Sequence, residues 1–178
     1  MLASLADLQA RFTITDTDRA EVYLAEADAI VKAVTGQTIE LVEGDTATLD
    51  SYGRRRLQLP QLPVVDVTAV AVDGRSLLAG EYTWDTAGGL WRPGRWPTGG
   101  RIVTVTYSHG YEDVPAELVG VVCRIAYRML RSGDPAPSGA VKAKSVADYS
   151  VTYDTTATDG LRFDEAELLA RFMLPVAP

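Results

Sequence analysis

With 178 residues, the chain has room for one domain with a real core, or for such a domain with an appended arm. Its 47% hydrophobic and 23% charged content is that of an ordinary globular protein. A formal net charge of -7 and a pI of about 4.7 argue against tight binding to phosphate backbones, which calls for a basic surface. The single cysteine, Cys123, excludes an intramolecular disulfide. The opening Met-Leu-Ala-Ser-Leu-Ala-Asp has neither a basic leader nor a long apolar run, so no signal peptide is expected. No stretch approaches ~20 uninterrupted apolar residues, so no membrane span is expected either. The expectation is a soluble protein, cytoplasmic at synthesis.

Taken in chain order, Ser4 can cap a short helix reaching about Arg11, with Asp7 in the first turn where negative charge is favoured. A second helix begins at Asp16 or Asp18. Its stripe of Ala20, Tyr23, Leu24, Ala27, Ile30, Val31 and Val34 has the spacing of one buried face, and Gly36 stops it. From Thr38 to Ser108 the texture becomes that of strands. Thr46 to Leu49 and Arg55 to Leu59 are short candidates. The prolines of Leu59-Pro60-Gln61-Leu62-Pro63 make a rigid extended connector. Val64 to Val72 is a Val/Ala-rich strand, followed by the hairpin signal Asp73-Gly74. Tyr82 to Asp85, Leu90 to Arg92 and Arg101 to Ser108 complete a small antiparallel sheet.

Pro115 opens a third helix whose buried face is marked by Leu118, Val122, Ile125 and Met129. Arg124, Arg128 and Arg131 sit towards its C-terminus, where positive charge suits the helix dipole. Residues 132–143 contain Gly133, Pro135, Pro137 and Gly139 and read as a hinge. Lys144 to Tyr153 alternates, with Ala147, Tyr149, Val151 and Tyr153 on one face, as a half-buried strand does. Asp164 caps or starts a last helix that contains Leu168, Leu169 and Phe172 and is ended by Pro175. The reading is an α+β chain. A small bundle of three to four helices (1–131) carries an inserted antiparallel β-sheet (about 38–108). A hinge (132–143) and a C-terminal strand-helix arm (144–178) follow.

Residues suited to catalysis are sparse. His109 is the only histidine, so with one cysteine no ordinary zinc site can be built from these residue types. Cys123 falls on the apolar helix and reads as a buried, inert thiol. None of the glycine pairs forms a phosphate-binding motif, and the C-terminal aspartates are too far apart for a calcium loop. A hydrolase using His109 with Asp113 would need a nucleophile that no motif supplies. Neither catalytic residues nor a cofactor are expected. Two other constellations stand out. Arg54-Arg55-Arg56 reads either as a solvated hairpin flank or as a contact to an acidic neighbouring subunit or passing DNA. Trp84, Trp91 and Trp96 cluster with Tyr82, Arg92 and Arg95. Trp84 reads as core, whereas Trp91 and Trp96 read as interface anchors, a mini-core beneath a long loop being the alternative. Aromatic residues can also stack on sugars, so a carbohydrate- or peptide-binding β module is the competing function.

The order of several motifs is similar to that of a known family. They are the acidic, Ala-rich Glu21–Lys32 segment; Leu59-Pro60, then Pro63 through Val70, with Asp73-Gly74; Val105 through Tyr111, then Val114-Pro115; and Ser145 through Tyr153 with Leu169-Ala170-Arg171-Phe172. Together they resemble the head–tail connector (adaptor) proteins of long-tailed bacteriophages. The chain has Val146-Ala147 where many relatives have Ile-Gly. The resemblance implies a non-enzymatic subunit of a homo-oligomeric ring, commonly of twelve copies, in the virion neck. Such a ring joins the portal protein to a stopper (head-closure) or tail-completion protein. It lines a channel through which double-stranded DNA passes without tight binding, and it has no membrane partner. Subunits would meet in the host cytoplasm during assembly. A ring needs two different complementary patches on each subunit. The interface candidates are Arg54, Arg55, Arg56, Trp91, Arg92, Arg95, Trp96, Tyr149, Val151, Tyr153, Leu168, Leu169 and Phe172.

Overall fold

The computed structural model describes residues 1–132, 144–146, 149–151 and 161–174. The fold is α+β and divides into two compact units. One comprises Met1–Thr35 and Pro115–Met173; the other comprises Gly36–Val114, to which Leu174 also belongs.

The helical unit is built from both ends of the chain. Helix α1 (Leu5–Gln9) starts at Ser4, whose hydroxyl accepts from the Asp7 amide while the Asp7 carboxylate accepts from the Ser4 amide. Helix α2 (Thr17–Thr35) begins where Asp16 accepts from the amide of Arg19, a short polar side chain stabilising the first turn. Its buried stripe is Ala20, Tyr23, Leu24, Ala27, Val31 and Thr35; Ile30 and Val34 lie at its half-buried margins. Helix α3 (Ala116–Ser132) buries Leu118, Val121, Val122, Cys123, Ile125, Ala126 and Met129. The Phe12 ring stacks on Tyr127 with centroids 4.1 Å apart, and the Leu2 amide donates to Asp28 at 2.6 Å. Both contacts fasten the N-terminal segment to the longer helices. Helix α4 (Phe163–Ala170) buries Glu165 and Leu169.

Within this unit the alternating stretch from Lys144 folds on itself. Strands β8 (Lys144–Val146) and β9 (Tyr149–Val151) pair antiparallel, Lys144 opposite Val151 and Val146 opposite Tyr149. This corrects the expectation of one continuous strand. Alternation fixes which residues share a face, and two short paired strands share that pattern with one long one. Residues 133–143 of the expected hinge, and Tyr153, lie outside the described residues.

The β unit holds two sheets. The larger has the order β1-β7-β3-β4, formed by β1 (Val42–Tyr52), β7 (Thr98–His109), β3 (Val64–Val72) and β4 (Arg75–Ser76), all antiparallel. Asp73 and Gly74 join β3 to β4 with φ of 48° and 77°. Two successive positive values are what a two-residue turn of this hand demands, and Asp-Gly tolerates them best. The smaller sheet has the order β2-β6-β5, from β2 (Arg56–Gln58), β6 (Gly89–Trp91) and β5 (Thr83–Trp84). The core comprises Leu57, Leu59, Val64, Val67, Val70, Leu90, Trp96, Val103, Val105 and Tyr107, with Trp84 and Tyr82 packed at its margin. Register aligns that core: Val67 faces Tyr107, Val70 faces Val105 and Val72 faces Val103.

Candidate interface at one end of the β unit

Two sequence segments about 40 residues apart meet in this unit through the pairing of β2 with β6. Arg56 stands directly opposite Trp91, and Leu57 opposite Leu90. The loop leading into β2 is then sewn to the loop leaving β6 by its backbone. The Trp96 amide donates to the Arg54 carbonyl at 2.9 Å, and the Arg92 amide to the Arg55 carbonyl at 3.2 Å. The Trp96 indole N–H donates to the same Arg55 carbonyl at 3.1 Å, and Arg95 reaches the Gly53 carbonyl at 3.5 Å. One end of the unit therefore carries Arg54, Arg55, Arg56, Arg92 and Arg95, with Tyr52 beside them and 72% exposed.

The aromatic residues divide into two roles. Trp96 is 1% exposed, a member of the core. Its placement as an interface anchor is corrected: its indole is spent on packing and on the Arg55 carbonyl, and no face of it is left for a partner. Trp84 is half-buried against the same core. An exposed platform of three tryptophans is therefore not formed. Trp91 is half-buried and lies back over Gly89, where a side chain would collide with its ring. Arg56 covers it, guanidinium 5.3 Å from the ring centroid, in the geometry of a cation–π contact. The same guanidinium donates to Gln58 at 2.7 Å. Arg92 lies 5.9 Å from the Trp96 centroid and 3.9 Å from Glu81. Among the described residues no carboxylate pairs with Arg54 or Arg55, and both side chains are exposed.

The C-terminal candidates fare differently. Leu169 is fully buried in α4, so it serves its own unit rather than a partner. Leu168 and Phe172 are half-buried. Tyr149 and Val151 are backbone members of the β8–β9 hairpin, and Tyr153 lies outside the described residues. Sequence reading missed three exposed apolar side chains, Tyr52, Leu78 and Phe163, at 72%, 75% and 69%. Nothing local in their sequence marks them, since a lone apolar residue at a strand end, in a loop or at a helix start has no periodic partner.

It also missed an ionised cluster in the helical interior. Glu165 is fully buried, and Arg128 clasps its carboxylate with both terminal nitrogens, at 3.1 and 2.9 Å. Arg124 approaches at 3.7 Å and the Arg162 amide donates at 3.0 Å. A buried carboxylate needs this degree of compensation.

His109 is 1% exposed and its Nε2 lies 3.1 Å from the Asp45 carboxylate, across the β1–β7 pair. Asp113, the partner that a hydrolase reading required, is exposed, and the carboxylate beside His109 is that of Asp45 instead. Tyr107 lies beside His109, ring centroids 5.1 Å apart. Burial, with the Asp45 carboxylate adding to it, pushes the Tyr107 phenol up to about 12. Burial likewise raises the Cys123 thiol, the thiolate being the form that a buried site disfavours. Among the described residues no group of three His, Cys, Asp or Glu side chains is placed to hold a metal ion, and no helix is long and apolar enough to cross a membrane.

Comparison with family models matches none, and neither does comparison with curated proteins. Solved structures do match. A chain in the neck of an empty gene transfer agent (GTA) particle, computed with C6 symmetry, superposes with a TM-score of 0.61 at 18% identity, over 99% of this chain and 92% of that one. A chain in the neck of the native GTA particle, computed with C12 symmetry, gives 0.57 at 19% identity, over 89% and 84%. A chain in the virion of the native GTA particle gives 0.58 at 15%, over 99% and 92%. At such identities the likeness is one of fold.

Proposed function

We propose that this chain is a structural subunit of the neck of a tailed, phage-like particle: a head–tail connector that assembles into a ring. The observation that carries the reading is the extent of the likeness. The fold matches a neck chain over 99% of this chain and 92% of the other, so both units are covered. The two particle necks were computed with C6 and C12 symmetry, which favours a closed ring of about twelve copies.

In this reading the ring sits beneath the portal protein and joins it to a stopper or tail-completion protein, and double-stranded DNA leaves through its lumen. An overall charge of -7 suits a wall that lets DNA slide past without gripping it. The role is binding and placement rather than catalysis, and it calls for no cofactor.

The test is genetic and visual. A particle-producing strain lacking this protein should accumulate filled heads without tails, seen by negative-stain microscopy, and complementation should restore attachment. Normal tailed particles from the deletion strain would refute the reading.

A further inference from the structure

The arginine end of the β unit offers a surface that the connector reading does not by itself assign. Removing Arg54, Arg55, Arg56, Arg92 and Arg95 from the 17 basic side chains leaves 12 against 24 acidic ones. The rest of the chain thus carries twice as many acidic as basic side chains. The patch also mixes charge with exposed or half-exposed aromatic surface, Tyr52 and Trp91. Tyr, Trp and Arg together are the residues that dominate protein–protein contacts. A DNA site in a chain of net charge -7 would work against its own long-range field.

The other half of such a contact is present in the chain. On α2, Asp18, Glu21 and Glu26 are exposed. The cations of that helix are engaged within it. Arg19 donates to the Tyr23 hydroxyl at 3.1 Å, and Lys32 pairs with Asp28 at 3.0 Å. Among the described residues, Asp18, Glu21 and Glu26 have no ion-pair partner. Val22, 57% exposed, stands among them, as Tyr52 stands beside Arg54 and Arg55. A head-to-tail ring needs two unlike, complementary patches on one subunit.

We infer that the Arg54–Arg55 end of one copy docks on the acidic α2 face of a second copy, with Tyr52 and Val22 supplying apolar contact. The inference rests on the connector reading for its ring geometry, but the contact is tested on the purified protein alone.

The experiment uses two charge-reversed variants, R54E/R55E and E21R/E26R, with sedimentation velocity of the full chain at low and high salt. All four positions are exposed, and circular dichroism checks that both variants fold. The wild type should associate at low salt and dissociate at high salt. Each variant alone should associate at least about tenfold more weakly, as two like patches then face each other. An equimolar mixture should recover association, because each reversed patch then meets an opposite one. A wild type that stays monomeric at low salt would overturn the inference, as would variants that associate normally. A mixture that fails to recover would remove α2 as the docking face. If R54E/R55E lost retardation of duplex DNA while associating like the wild type, the patch would be a nucleic-acid contact and the inference wrong. None of these outcomes touches the tail-attachment test, so failure here and failure of the connector reading are separable.

Discussion

Arg128 on α3 and Glu165 on α4, 37 residues apart, form a two-pronged ion pair around a carboxylate that has no exposure of its own. The pair fixes the last helix against the third. Its value lies in what happens when one half is removed.

Truncating Glu165 to Ala removes the carboxylate that Arg128 clasps, and truncating Arg128 to Ala takes both of its nitrogens from a buried negative charge. Breaking a buried pair from one side costs about 3 kcal/mol or more. E165A and R128A should each lower the urea midpoint of the helical unit by a corresponding amount, with R128A the worse, since Glu165 is the more deeply buried partner. The double variant R128M/E165L should lie closer to the wild type than either single change. If the single variants unfold with the wild type, the pair contributes nothing.

Trp91 and Trp96 should respond in opposite ways. W96A opens a cavity in the β-unit core and removes the donor to Arg55, at a cost of about 3–5 kcal/mol. W91A removes a half-buried ring and should cost much less. Thermal unfolding of the two variants distinguishes core from surface. Equal losses would contradict the division made here.

Gly89 is a tighter constraint than its place in a short strand suggests. A methyl group there meets the Trp91 ring, so G89A must expel the indole. We expect destabilisation of about 1–3 kcal/mol, with Trp91 emission shifted to the red as its ring gains water. An unchanged spectrum would show that the ring does not lie over the glycine.

The pH dependence of the β unit follows from Tyr107. Its folded value is raised from 10 to about 12. A raised folded value favours the neutral phenol, so this contribution is whole below pH 10 and is lost as pH climbs through 12. Y107F lacks the ionisation and should keep its fold further into that window, followed by circular dichroism against pH. Coincident alkaline transitions in the two proteins would remove Tyr107 as a cause.

Cys123 gives a simple probe of the helical interior. Its buried, raised thiol should resist a thiol reagent in the native protein and react at once in denaturant. Rapid native labelling would show that the α3 core opens.

Local rules carried the sequence reading a long way. Val64–Val72 is a strand over the span that its β-branched run indicates. Asp73-Gly74 forms the turn that its chemistry demands, and Ser4 with Asp7 caps α1. What was illegible depends on distance along the chain. Arg54–Arg56 and the group Trp91, Arg92 and Arg95 become one patch only because β2 pairs with β6. Trp96 looks like an exposed loop residue until the Arg54 and Arg55 carbonyls pull it inward. Arg124 and Arg128 have an evident role at the helix dipole, which hides their contact with Glu165. The alternation from Lys144 read as one strand, because periodicity carries no information about Lys144–Val146 pairing antiparallel with Tyr149–Val151.

The division of the chain has a consequence for its biogenesis. Residues 36–114 are contiguous, whereas the helical unit joins residues 1–35 to a segment that begins at Pro115. The bridge between Glu40 and Tyr111, with the Leu41 and Tyr111 amides bonded across it, gathers the entry and exit of the β unit at one place. During synthesis, where segments fold as they emerge, the β unit can complete itself while α2, already outside the ribosome, still awaits α3 to cover its apolar stripe. The order of folding is thus inside-out along the sequence: the middle first, then the two ends together.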